Sequence, residues 1–129
     1  MSDLGAYRFG QKVHKALEDR IRGKFVSVPG GMTKVYEMAI EHIRSNFDEV
    51  YIEPRIDNIR PDVIAISKKD NLLVIYDFKT GTLTEENRDR IKKQLKKYLN
   101  TISLIPQWKD YEKRALVIFK DRIIDYRDL

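Results

Sequence analysis

The sequence predicts an α/β (α+β) fold in which a mixed central β-sheet is flanked by helices, and three observations carry that reading. Helical periodicity fills two segments before residue 49, strand periodicity takes over for three runs after it, and a further helix and two strands follow. No linker, internal repeat or low-complexity stretch interrupts this order, so residues 1–129 read as a single domain.

The first helix is expected from about Tyr7 to Arg22, where Phe9, Val13, Ala16, Leu17, Arg20 and Ile21 share one side and Gly23 ends it. Pro29, Gly30 and Gly31 mark a turn-rich connection, after which Thr33 caps a second helix of Lys34 to Asn46. Val35, Met38, Ala39 and Ile43 mark its buried side, His42 falls within that apolar side, and Glu37 and Glu41 fall on the polar one. From Glu49 the period becomes strand-like: Val50 to Glu53, Asp62 to Ile66, then Leu72 to Tyr76 leading into Asp77-Phe78-Lys79, with a hairpin loop at Lys68 to Asn71. The third run is apolar on both faces, which places it centrally in the sheet, covered on both sides. Thr84, with Asn87 three residues on and Glu85 and Glu86 in the first turn, opens a third helix running to about Ser103. Its core stripe is Ile91, Leu95, Tyr98, Leu99 and Ile102. After Pro106 come a strand from Ala115 to Phe119, a two-residue turn at Lys120-Asp121 and a last strand from Arg122 to Tyr126.

Composition narrows the chemistry. The 42% hydrophobic and 35% charged residues are globular values and exclude a disordered or collagen-like chain. No apolar run reaches the roughly 20 residues of a membrane span, and the N-terminus lacks a signal-peptide layout. An intracellular protein is therefore expected, cytoplasmic or in the host cytoplasm if viral, with no membrane partner. The absence of cysteine excludes disulfides, thiol nucleophiles and cysteine-bound zinc or iron–sulfur clusters, leaving oxygen-loving metals or histidine sites. A net charge of +5 favours polyanionic partners. Gly30-Gly31-Met32-Thr33-Lys34 lacks the order of a phosphate-binding loop, and no G-x-S-x-G or H-E-x-x-H is present.

The most informative segment is Pro61-Asp62 followed, after fourteen residues, by Asp77-Phe78-Lys79. Residues two apart on a strand share a face, so Asp77 and Lys79 project together roughly 6.6 Å apart along the backbone, while Tyr76 and Phe78 face the opposite core. If the second and third runs pair as a hairpin, Asp62 meets Asp77. Two neighbouring carboxylates repel unless a divalent cation or Lys79 relieves them, and hard oxygen donors suit Mg²⁺ or Mn²⁺. That set fits phosphodiester hydrolysis by metal-activated water positioned by Lys79; a plain Asp77–Lys79 salt bridge at a strand end fits equally. Gln94 and Tyr98, four apart on the third helix, can present an amide and a phenol together, or simply border the core. Arg88, Lys92, Lys93, Lys96 and Lys97, with Arg90, make that helix basic, a solvated face or a track for a nucleic-acid backbone. His14, on the border strip of the first helix with Gly10, Leu17 and Glu18, reads as a metal ligand or a satisfied border histidine. Glu53 on the first strand is an auxiliary acid, as is Glu18.

Taken in order, Gly10-x-x-x-His14-x-x-Leu17-Glu18, Pro61-Asp62, Asp77-Phe78-Lys79-Thr80-Gly81 and Gln94-x-x-x-Tyr98 resemble the PD-(D/E)xK nucleases, most closely the RecB-like branch. The resemblance spans residues 10 to 98 and implies a restriction-endonuclease-like core and a Mg²⁺- or Mn²⁺-dependent deoxyribonuclease acting on single- or double-stranded DNA. It further implies that Asp62 and Asp77 hold the catalytic metal with His14 as an added ligand, and that Lys79 orients or activates the attacking water. Gln94 and Tyr98 then place the substrate strand or the lysine, and Gly81 allows a sharp exit from the strand. The iron–sulfur cluster of some RecB-like nucleases is excluded here by the absence of cysteine. Two alternatives remain open on the same scaffold: a homodimeric structure-specific endonuclease resembling a Holliday-junction resolvase, or a non-catalytic nucleic-acid-binding module.

Overall fold

The computed structural model describes residues 2–129, with side chains described from Leu4 onward. It is an α+β fold with a five-stranded mixed sheet between helices, in the order α1 (Ser2–Ile21), α2 (Lys34–Asn46), β1 (Glu49–Ile52), β2 (Val63–Ser67), β3 (Leu72–Phe78), α3 (Glu85–Ser103), β4 (Glu112–Ile118) and β5 (Ile123–Asp125). The strands lie in the order β1-β2-β3-β4-β5. The first three form an antiparallel meander, α3 carries the chain to a β4 parallel to β3, and β5 returns antiparallel.

Strand alternation divides the interior into two cores. Val63 and Ala65 of β2 pair across from Tyr76 and Val74 of β3, and with Phe78 and Ile118 they pack under α1 and α2. Ile64, Ile66, Leu73, Ile75, Ala115 and Val117 face the other way and pack against Ile91, Leu95, Tyr98 and Ile102 of α3. Every residue of β2 is buried, as are six of the seven in β3, because both strands are internal and both faces carry helices.

The helix ends follow local chemistry. Gly23, at φ 91°, lets its own N–H bond Arg20 O while Lys24 N bonds Asp19 O, the paired closure that stops α1. Thr33 Oγ1 accepts the Tyr36 N–H at the start of α2. Thr84 and Asn87 form a reciprocal capping box at the start of α3.

Several sequence expectations are corrected. The first helix begins at Ser2, not Tyr7, and Phe9 is 44% exposed although it was expected to share the buried side. In α2 the buried face is Tyr36, Ala39, Ile40 and Ile43; Met38 is 65% exposed and His42 is exposed. The face is rotated because Tyr36 buries its ring on Phe78 while its hydroxyl donates to Lys79 O at 2.7 Å. The fourth strand begins at Glu112 rather than Ala115, since backbone pairing with Leu72 to Val74 extends it through Glu112, Lys113 and Arg114. The last strand is confined to Ile123–Asp125, and Tyr126–Asp128 closes as a 3₁₀ turn capped by the Asp125 carboxylate. A second 3₁₀ turn, at Pro106–Trp108, was not anticipated. Gly81 has no positive φ, and a Cβ there would meet nothing within 4 Å, so the exit from β3 does not depend on a glycine.

Candidate functional site

The end of the β2–β3 hairpin opposite the Lys68–Asn71 turn gathers the polar residues. Pairing of Val63 with Tyr76 is the last regular rung, and the Asp62 side chain replaces the next one, its Oδ2 accepting the Phe78 N–H at 2.7 Å. Asp62 therefore stands beside Asp77. Lys79 continues the parallel ladder through its N–H to Ile118 O at 2.9 Å, and its carbonyl accepts from Tyr36, so the main chain is fixed from both neighbours.

From that backbone the Lys79 side chain reaches over Asp77 toward α3. Its Nζ lies 3.1 Å from Asp77 Oδ2 and donates to Gln94 Oε1 at 3.0 Å, and Gln94 Nε2 in turn donates to the Tyr98 hydroxyl at 3.0 Å. Asp77, Lys79, Gln94 and Tyr98 thus form one continuous polar chain between a central strand and a helix.

Asp77 is 4% exposed, and its Oδ2 has no hydrogen-bond partner of good geometry despite the nearby ammonium. Burial, reinforced by the negative charge of Asp62 and partly offset by Lys79, pushes the Asp77 carboxyl up to about 7. The same surroundings hold the Tyr98 phenol protonated: burial and then the two aspartates push it up to about 12.

On the α1 side, His14 Nδ1 lies 3.4 Å from Asp62 Oδ1. Burial works against the charged imidazole, but its hydrogen bond to Asp62 and the charge of both aspartates outweigh that, so its pKa is raised. One turn further, Glu18 is 4% exposed with an unpartnered Oε2. Burial and neighbouring Glu53 push it up to about 7. Glu53, expected on the first strand, falls just beyond β1 with a φ of 50°, unusual for a side-chain-bearing residue; its N–H bonds Asp62 O at 2.7 Å and its carboxylate holds Arg60 at 3.1 Å. His14, Glu18, Glu53 and Arg60 line a cleft of about 540 Å³ that also reaches Thr80.

The sequence-selected residues therefore separate into three groups. Asp62, Asp77, Lys79, Gln94, Tyr98 and His14 converge; Glu18 and Glu53 pair in the adjoining cleft. The exposed cations of α3 fan across its solvent face: at 100° per residue and all in one direction from Gln94, Arg90 and Lys97 lie roughly 40° and 60° away, Lys93 about 100°, and Lys96 and Lys92 about 160° and 200°. Arg88 Nη1 donates to Asp128 O at 3.3 Å. Sequence reasoning missed Arg60 and Tyr36. Arg60 sits just before Pro61-Asp62, a position whose charge gave the only signal, whereas the Tyr36 contact spans 43 residues and left none.

Among the described residues, no three His, Asp or Glu side chains form a ready-made metal cage. The donor set nevertheless fits a hexacoordinate oxygen-loving cation, which takes one or two protein carboxylates and completes its shell with water and phosphate oxygens. The unpartnered Asp77 Oδ2, buried beside a second carboxylate, is the atom such an ion would satisfy. No protein-family model and no curated protein matches the chain. No helix among the described residues is long and apolar enough to cross a membrane.

Proposed function

We propose that this chain is a Mg²⁺- or Mn²⁺-dependent deoxyribonuclease of the PD-(D/E)xK type, RecB-like, that hydrolyses DNA phosphodiester bonds. The observation that carries this reading is the continuous set Asp62, Asp77, Lys79, Gln94 and Tyr98, drawn from two strands and a helix to one end of the sheet. The helix–meander–helix–parallel-strand order agrees with the restriction-endonuclease-like core that the resemblance implies.

Asp62 and Asp77 are the residues that would hold the cation, with His14 beside Oδ1 of Asp62 and the Phe78 N–H on its Oδ2. Bound there, the cation would polarise a phosphate oxygen and lower the pKa of a coordinated water. Lys79 places a fixed positive charge beside the carboxylates, where it orients a water for attack and offsets charge growing on the phosphate. Gln94 holds that ammonium by its carbonyl, and Tyr98, a neutral phenol at every physiological pH, keeps Gln94 from rotating. In this arrangement Gln94 and Tyr98 are positioning residues for Lys79.

The test is a time course of purified protein on labelled single-stranded, duplex and four-way-junction DNA with Mg²⁺, Mn²⁺ or EDTA, beside Asp77→Ala. Metal-dependent cutting that disappears in the variant is the expected result, and the preferred substrate separates a general nuclease from a dimeric junction resolvase. Binding without cutting under every metal would instead make the domain a non-catalytic nucleic-acid-binding module.

A further inference from the structure

Building on the nuclease reading, we propose that a single-stranded DNA segment docks along the exposed side of α1, with Tyr7 and Phe25 as its base-stacking platforms. Two grooves, of about 540 and 440 Å³, flank α1 and share Gln11 and Lys15 as their common ridge. The first is lined by His14, which contacts Asp62, and by Thr80, which follows Lys79 in the chain; the second continues past Arg8 and Lys12 to Val26 and Ser27. Together they make a path that starts at the candidate scissile position and leaves along the helix.

Tyr7 lines the first groove, and at Val26 and Ser27 the second meets a third, of about 440 Å³, that is lined by Arg20 and Phe25, so an aromatic ring left in water stands toward each end of the path. Tyr7 is 64% exposed at the first groove, and Gln11 Nε2 donates to its hydroxyl at 3.0 Å, which steadies the ring. Phe25 is 97% exposed, with the Arg20 guanidinium 6.0 Å from its ring centroid, and Arg20 also donates to Val26 O, tying the loop to the helix. From Tyr7 to Arg20 the helix rises roughly 20 Å. That length suits the shorter single-strand sites, of about four nucleotides.

Charge favours the same occupant. Arg8 and Lys12 form no ion pair among the described residues, while Lys15 holds Asp19 at 2.8 Å and Arg60 holds Glu53 at 3.1 Å. Arg8 and Lys12, set between these two exposed rings, match alternating phosphates and bases. In a duplex the base faces are covered by their neighbours, so the rings select an unpaired strand. The lysines of α3 offer no comparable pairing of ring and cation, and Lys92 and Lys96 point well away from Gln94.

Fluorescence anisotropy with a labelled oligothymidine in EDTA tests the path without involving the metal. Wild type should bind, and Tyr7→Ala combined with Phe25→Ala should weaken binding at least about tenfold, with Tyr7→Phe restoring the Tyr7 share. Arg8→Gln with Lys12→Gln should reduce the slope of log affinity against log salt by about 1.4. All four side chains are exposed, so unchanged thermal unfolding separates lost binding from lost fold. The inference is overturned if these variants bind as wild type does, if Lys92→Gln with Lys96→Gln produces the loss instead, or if wild type binds only duplex DNA or only RNA. Cleavage assays keep the two readings apart. Metal-dependent cutting with no effect of the ring variants removes the docking path and leaves the nuclease; ring-dependent binding with no cutting removes the nuclease and leaves the path.

Discussion

Asp77 is held almost out of water with an ammonium on one side and a second carboxylate on the other, so its charge state is tied to the stability of the fold. With metal chelated, folded and unfolded Asp77 are both protonated well below its ordinary value of 3.8, and no cost arises there. As pH rises toward 7 the unfolded chain releases a proton that the folded chain keeps, so stability falls across that window, and the cost is complete above about 7. Glu18 acts in the same direction from 4.5 to about 7. Denaturant unfolding in EDTA should therefore show Asp77→Asn gaining on wild type by a few kcal/mol, of order, as pH goes from about 4 to 8, while its cleavage falls at least about 10²-fold. Gln94→Ala frees Lys79 from its helix anchor and should lower kcat with KM little changed. The Tyr76 hydroxyl is buried without a partner, so Tyr76→Phe should be neutral or stabilising by about 1 kcal/mol, read by the same unfolding curves.

At the scale of elements, legibility followed local signals. Both ends of α2 and α3 were readable because Thr33, and Thr84 with Asn87, announce their helices and the apolar spacing continues behind them. Thr84→Ala should cost about 1 kcal/mol, measured as a lower denaturation midpoint with an unchanged slope. The start of α1 carried no such signal: Leu4, Tyr7 and Phe9 are exposed, so no apolar stripe marked its first turns. In α2, Met38 and Tyr36 lie on different faces, and contacts distant in sequence, the ring against Phe78 and the hydroxyl on Lys79 O, decide that the tyrosine is the buried one. The charged run at Glu112 to Arg114 reads as a loop, and a partner strand forty residues earlier in the chain makes it β-structure.

For the whole molecule, the convergence of Asp62 with Asp77 was legible once a β2–β3 hairpin was assumed, because spacing along paired strands then sets them side by side, whereas the approach of Gln94 and Tyr98 to Lys79 depends on how α3 packs on the sheet. The contribution of α1 was only half legible, since His14 could be placed on a border strip but its partner Asp62 lies 48 positions away in the chain. A cation that binds only the folded chain should raise the melting temperature of wild type in Mn²⁺ and leave that of Asp77→Asn unmoved. The side chain of Asp62 also serves as a rung of the sheet, bonded to the Phe78 N–H. That amide proton is consequently a built-in reporter. Its deuterium exchange should slow when the carboxylate is immobilised by loading and quicken in Asp62→Ala, so that one backbone resonance would record occupancy of the site in a protein that has turned over nothing.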